Sequence, residues 1–133
     1  MNYFLDTNIC IYALKKTSPS LVDKFKGLPP SQIKIPSIVK AELLYGALKS
    51  KRPVKTHTII ERFLFPFEVL SFDNDCCEYY AKIRSTLEMS GKVIGPNDLI
   101  IAATVLANQA ILVTHNVGEF RRVEGLLVED WTL

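Results

Sequence analysis

The sequence predicts one α/β domain: a central, mostly parallel sheet of four to five strands, covered by helices on both faces. Three observations predict it. Short apolar strand-like runs alternate with helical segments of about ten or more residues, the pattern of crossover units around a parallel sheet. The run Ile111 to Val113, continuing into Thr114, is apolar without alternation, as in a strand buried on both faces. The 133 residues, 48% hydrophobic and 23% charged, suit a single core, so residues 1–133 are read as one unit.

The elements follow in order. Tyr3-Phe4-Leu5 reads as a strand, and Asp6-Thr7-Asn8 opens a helix with Ile9, Tyr12 and Ala13 on one face. Ser18-Pro19 starts a short helix through Phe25 that Leu28-Pro29-Pro30 ends. Ile33-Lys34-Ile35 alternates as a second strand, and Pro36-Ser37 begins a helix running to about Lys49. Val54, Ile59, Ile60, Phe63 and Leu64 recur at helical spacing up to Pro66, and Glu68 to Phe72 reads as a strand. Asp73-Asn74-Asp75 caps a helix that places Cys77, Tyr80, Ala81, Arg84 and Leu87 on one side and stops near Gly91, a residue suited to a left-handed cap. Gly95-Pro96-Asn97-Asp98 opens a helix apolar on nearly every side from Leu99 to Ala107, hence buried. After the Ile111–Thr114 strand, Phe120 and a turn at Gly125, Leu126-Leu127-Val128 is a last strand, with the chain ending past Trp131.

Composition excludes several classes. Sixteen Lys+Arg against fourteen Asp+Glu give a formal charge of +2, without a polybasic tail. The longest apolar run falls far short of the roughly 18 to 20 residues of a membrane span. No signal-peptide pattern follows Met1, which predicts a cytoplasmic protein. Three cysteines, Cys10, Cys76 and Cys77, have no C-x-x-C spacing and read as reduced, mostly buried thiols rather than a disulfide, zinc or redox framework.

In open α/β sheets ligands collect at the carboxyl ends of the strands. Asp6 directly follows the first strand, Glu42 lies in the second turn of the helix after the second, and Asp98 lies in the first turn of the helix feeding Ile111–Thr114. Asn116 and Glu119 follow that strand's end. Each acid also has a plainer reading: Asp6 as a helix cap, Asp98 as a complement to the helix dipole, Glu42 as a solvated side chain. Against these, Asp98 shares a helix stripe with Ile101, Ala102 and Val105, and Glu42 shares one with Ile38, Tyr45 and Gly46. No basic residue in these segments is an evident partner. Clustered carboxylates raise one another's pKa unless a cation neutralises them. Oxygen-only donors suit Mg²⁺ or Mn²⁺ better than zinc, because His57 and His115 are the only imidazoles.

The ordered set Phe4-Leu5-Asp6-Thr7-Asn8, Ser37 with Ala41-Glu42-Leu43 and Tyr45-Gly46, Gly95-Pro96-Asn97-Asp98 with Ile101-Ala102, and Thr114-His115-Asn116 with Phe120-Arg121 and Gly125-Leu126 resembles PIN-domain ribonucleases. In particular it resembles the VapC toxins of bacterial VapBC toxin–antitoxin pairs, over essentially the whole chain. The resemblance implies a PIN-like three-layer α/β/α fold. It implies that Asp6 and Asp98 bind a divalent metal, that Glu42 completes an acidic pocket, and that Asn8 and Asn97 orient ligands or the scissile phosphate. Many PIN domains carry a fourth aspartate where this chain has Asn116, and Glu119 is the nearest acid to stand in for it. The Thr114 hydroxyl is placed to hold a water or a carboxylate, or serves structurally at the strand end. The resemblance further implies a homodimer and a VapB-type antitoxin whose carboxyl-terminal segment covers the acidic groove. The RNA it implies is structured and cut at a restricted site, initiator tRNA in the anticodon stem-loop for the enteric-type relatives.

Phosphodiester hydrolysis by metal-activated water predicts 5′-phosphate and 3′-hydroxyl ends, with no covalent intermediate. Lys49, Lys51, Arg52 and Lys55 form the densest positive run and suit either an RNA backbone or a helix carboxyl end. Arg121 and Arg122 lie closer to the acids, and His115 is the histidine near them. Tyr12, Leu14, Tyr45 and Phe65 are apolar candidates for an interface. Other readings are a phosphotransferase with Asp6 as nucleophile, which lacks the usual second aspartate because Asn8 stands there, and a receiver domain using Asp73. A non-catalytic RNA-binding or scaffolding PIN domain is the alternative from a different class.

Overall fold

The computed structural model describes all 133 residues. In chain order the elements are β1 (Tyr3–Leu5), α1 (Thr7–Lys15), α2 (Pro19–Lys26), β2 (Ile33–Pro36), α3 (Ser37–Leu48), α4 (Pro53–Leu64), β3 (Glu68–Leu70), α5 (Asn74–Met89), α6 (Pro96–Ala107), β4 (Ile111–Val113), α7 (Val117–Phe120) and β5 (Leu127–Glu129). The strands pair in the order β3-β2-β1-β4-β5, and every pairing is parallel. The expected mostly parallel sheet is therefore fully parallel and has five strands.

Successive strand residues point to opposite faces, so a strand buried at consecutive positions needs cover on both sides. Phe4 and Leu5 of β1 and Leu112 and Val113 of β4 are all fully buried. They belong to one apolar cluster of 26 residues that includes Ile33 and Ile35 of β2, Val39 and Leu43 of α3, and Leu99 to Val105 of α6 except Ile100 and Thr104. Crossovers from β1 through β2 to β3 build the sheet in one direction; the return through α5 and α6 to β4 reverses it. The strand order thus switches between β1 and β4, which opens a crevice at their carboxyl ends. Tyr3, Phe4 and Leu5 stand opposite Ile111, Leu112 and Val113 in register, so Asp6 and Thr114 leave the sheet side by side.

Local chemistry explains the helix starts. Ser18 accepts from the Leu21 N–H ahead of Pro19, and Asp73 accepts from the Cys76 N–H. Gly91 takes φ +71° just after α5, the left-handed conformation expected of it. The inner face of α5 differs from the expected one: Cys76, Ile83 and Leu87 are buried with Tyr80 half-buried, whereas Cys77, Ala81 and Arg84 are exposed. Of the three thiols only Cys10 and Cys76 are therefore buried. In α3 the buried stripe is Val39, Leu43 and Ala47, and Tyr45, expected on the Glu42 stripe, is 64% exposed. β3 stops at Leu70 and β5 starts at Leu127, and a short α7 forms where no helix was expected.

Candidate active site

Asp6 is fixed by three contacts. Its N–H donates to the Val113 carbonyl at 3.2 Å, extending the ladder to β4 by one residue. Its Oδ1 accepts from the Ile9 N–H at 2.9 Å, capping α1, and its Oδ2 accepts from the Thr114 hydroxyl at 2.5 Å. Thr114, fully buried, accepts in turn from the Asn116 N–H at 2.9 Å. Asp6 therefore caps α1 with one oxygen and meets Thr114 with the other, so the cap does not occupy the whole carboxylate. Burial raises the Asp6 carboxyl above its usual range; the Thr114 and Ile9 hydrogen bonds oppose this, and the charges of Glu42 and Asp130 add to it.

Asp98 projects from the first turn of α6, half-buried, and meets Glu119 of α7. Glu119 is held at both oxygens: Oε1 accepts from the Gly95 N–H at 2.9 Å and Oε2 from the Asn116 amide at 2.6 Å. The Gly95 N–H holds the Glu119 carboxyl below its usual value. Burial, then the charge and hydrogen bond of Glu119, push Asp98 up to about 7, with Asp6 and Glu42 adding repulsion. The two carboxyls thus pull apart, Asp98 upward and Glu119 downward. Asn116 thus supports Glu119 at the position where many PIN domains carry an aspartate.

Glu42 is half-buried on α3, and its Oε1 accepts from the Thr7 hydroxyl of α1 at 2.8 Å. α3 touches both α1 and α6, which brings Glu42 toward Asp6 and Asp98. No lysine or arginine is ion-paired with Asp6, Glu42, Asp98 or Glu119; the ion pairs are Lys34–Glu68, His57–Glu61, Arg84–Glu88 and His115–Asp130. No three acidic, histidine or cysteine side chains are drawn together as a closed ligand set. None of the five main cavities is lined by these carboxylates; Asp6 is buried, and Glu42, Asp98 and Glu119 are half-buried. The donor set fits a hard divalent cation. All donors are oxygens, each carboxylate oxygen keeps a lone pair beyond the hydrogen bond it accepts, and the acids repel one another with no direct ion pair, the charge of Arg122 acting only on Glu119 from beyond ion-pair distance.

Asn8 and Asn97 are exposed in the first turns of α1 and α6, and Arg121 is exposed at the end of α7; all three are free of side-chain hydrogen bonds within the chain. Thr7, Gly95 and Asp130 are contributors that sequence reasoning missed. Thr7 sits inside the Asp-Thr-Asn triplet, and Asp130 follows β5 at the same sheet edge, so the strand-end rule that found Asp6 also covers Asp130. Partial burial works against ionising Asp130, but hydrogen bonds from Thr132 and His115 outweigh it and lower its pKa.

The comparisons with known proteins agree on one family. The PIN domain profile matches residues 3–126. Ribonuclease VapC2 of Rickettsia felis is 42% identical over 132 residues, covering 98% of each chain. The tRNA(fMet)-specific endonuclease VapC of Shigella flexneri is 37% identical over 132 residues, covering 99% of each. Among solved structures, VapBC2 of Rickettsia felis bound to a promoter DNA fragment superposes with a TM-score of 0.92 at 41% identity, over 98% of this chain and 99% of that one. VapBC of Salmonella typhimurium bound to DNA superposes with a TM-score of 0.93 at 35% identity, over 98% of each. With acids gathered at the switch point of a five-stranded parallel sheet and full-length identity at this level, this chain belongs to the PIN-domain family, among the VapC ribonucleases.

Proposed function

We propose that this protein is a Mg²⁺-dependent endoribonuclease, the toxin of a type II toxin–antitoxin pair, that hydrolyses structured RNA. The observation carrying the reading is the acidic group without a direct ion pair at the β1/β4 switch point, in which Asp98 is raised to about 7 by burial and by Glu119. Asp6 and Asp98 would hold the metal, with Glu42 and Glu119 completing its acidic surround. Mg²⁺, or Mn²⁺ in its place, supplies there the Lewis acidity that activates water and steadies the departing 3′ oxygen. Thr114 orients Asp6 through Oδ2, Thr7 orients Glu42, and the Gly95 N–H with Asn116 fixes Glu119. Asn8, Asn97, Asn116 and Arg121 would contact the RNA strand or align its phosphate; Thr114, expected among them, is fully buried and spends its hydroxyl on Asp6 and the Asn116 N–H, so it positions Asp6 instead.

The similar ribonucleases and tRNA(fMet)-specific endonuclease support an RNA substrate, tRNA in particular, and the similar solved VapBC complexes support a VapB-type antitoxin as partner. A homodimer and a toxin–antitoxin hetero-oligomer follow on that reading, and the exposed Tyr45 and Phe65, at 64% and 90%, are available to such interfaces. No helix of the chain is long and apolar enough to cross a membrane. The test is direct: purified protein with Mg²⁺ or Mn²⁺ cuts RNA to 5′-phosphate and 3′-hydroxyl ends. Asp6→Ala and Asp98→Ala each lower the rate by at least about 100-fold while the circular dichroism spectrum stays native. Cyclic-phosphate ends, or equal cutting by both variants, would reject the assignment and return the chain to a non-catalytic RNA-binding role.

A further inference from the structure

Beside Asp6, on the β5 side of the switch point, lies a small polar cleft that the acidic group does not use. It has a volume of about 180 Å³ and is lined by Tyr12, Thr17, Ser18, His115 and Thr132. His115 follows Thr114, the residue that latches Asp6. Its Nδ1 lies 3.0 Å from Asp130 Oδ2 and 3.1 Å from Thr132 Oγ1. A carboxylate only accepts, so Nδ1 carries the proton and donates, which fixes the ring's orientation. Nε2 is left without a protein partner on a side chain that is 58% exposed. The Tyr12 ring meets the imidazole edge-on, with centroids 6.3 Å apart. Asp130 is anchored by the Thr132 N–H at 2.9 Å and the Thr132 hydroxyl at 2.6 Å, so the assembly is held from below and open above.

An oriented imidazole beside a tyrosine, with hydroxyls around it and a phosphodiester-cutting centre next door, has the features that hold an unstacked nucleotide: a flat aromatic surface and hydrogen-bonding groups for ribose or base edge. We propose that this cleft is a nucleotide subsite, in which His115 Nε2 hydrogen-bonds the ribose or base of the RNA residue next to the scissile phosphate and Tyr12 packs against it. The proposal rests on the nuclease reading for its ligand class, and binding rather than cutting tests it. In a cleavage-impaired Asp98→Asn background, fluorescence anisotropy with a labelled RNA stem-loop measures affinity. His115→Ala weakens binding by about tenfold, the scale of one base contact, with an unchanged melting temperature. His115→Phe restores part of the loss if stacking carries it and none if Nε2 does. A series of stem-loops, each with one abasic or one 2′-deoxy residue, locates the contact. At one position the lesion costs the parent about tenfold and costs His115→Ala nothing further; an abasic hit assigns the base and a 2′-deoxy hit the ribose. Equal affinity of His115→Ala and parent, losses that multiply at every position, or no RNA binding by the parent would overturn the subsite. If the wild-type counterpart binds RNA in Mg²⁺ without cutting it while the His115 contact is still found, the nuclease reading falls and the cleft stands as a nucleotide site with no scissile phosphate beside it.

Discussion

At the scale of single residues, Asp98 is where the proposed function would cost the fold stability. Its carboxyl, ordinarily at 3.8, is raised to about 7 by burial and by Glu119. The metal-free native state therefore holds a proton there that the unfolded chain has already released. Between those values folding takes up a proton, so stability rises as pH falls from about 8 toward about 5. Glu119, lowered from 4.5 by the Gly95 N–H, acts oppositely: its contribution is present above its ordinary value and is lost as pH falls below it. Thermal melts of the metal-free protein should show the melting temperature climbing over the first window. Asp98→Asn should melt higher at about pH 8 and be nearly flat with pH there. A wild-type curve that falls on acidification from about 8 would contradict the raised Asp98 carboxyl. Asp6, Glu42 and Asp98 were legible in the sequence because each sits a fixed step from a strand end or a helix start. Thr7 was not, since a hydroxyl announces nothing until its partner, 35 residues away, is brought beside it.

At the scale of elements, what could be read was what local chemistry decides. The Asp73 and Ser18 caps were evident because a short polar side chain before a helical period has one good use. The inner face of α5 was misread because Cys76 and Cys77 are adjacent and both apolar, and a 3.6-residue period through Tyr80 and Leu87 accommodates either. The core chose Cys76 with Ile83. α7, four residues long, is too short to show a period at all. The two caps make a matched prediction. Asp73 is held below its ordinary carboxyl value first by the Cys76 N–H, so its stabilisation is present above pH 3.8 and is lost as pH falls through the lowered value. Asp73→Ala should thus lower the melting temperature at neutral pH, with a penalty that shrinks in strong acid. Ser18→Ala, without a titrating group, should cost about 1 kcal/mol at either pH. Denaturant titrations at two pH values separate them, and a pH-independent Asp73→Ala penalty would refute the ionised cap.

At the scale of the whole molecule, the strand order is what assembles the site. A parallel sheet whose order reverses between β1 and β4 collects Asp6, Thr114 and the amino ends of α1 and α6 at one crevice, and no contact between residues close in sequence would do so. The same arrangement sets an electrostatic problem. With a net charge of only +2, grouping Asp6, Glu42, Asp98, Glu119 and Asp130 along one edge leaves the remaining surface strongly cationic, yet the edge itself repels a polyanion. On the proposed function, RNA must be attracted from elsewhere. Lys49 ends α3 and lies 5.0 Å over the Tyr45 ring; Lys51, Arg52 and Lys55 follow, exposed and outside every ion pair of the chain. α3 begins at the site edge, so at 1.5 Å per residue this stretch stands roughly 10 Å along the helix from Glu42, close enough for one strand to touch both. If phosphates sit there, RNA affinity falls with salt, and each cation removed lowers the slope of log affinity against log salt by roughly one. Lys51→Ala with Arg52→Ala should therefore weaken binding to all RNA sequences alike and reduce that slope by about two, while the cleavage position stays fixed. An unchanged slope would mean that these side chains only solvate the end of α3, and that the long-range attraction comes from Arg121 and Arg122 instead.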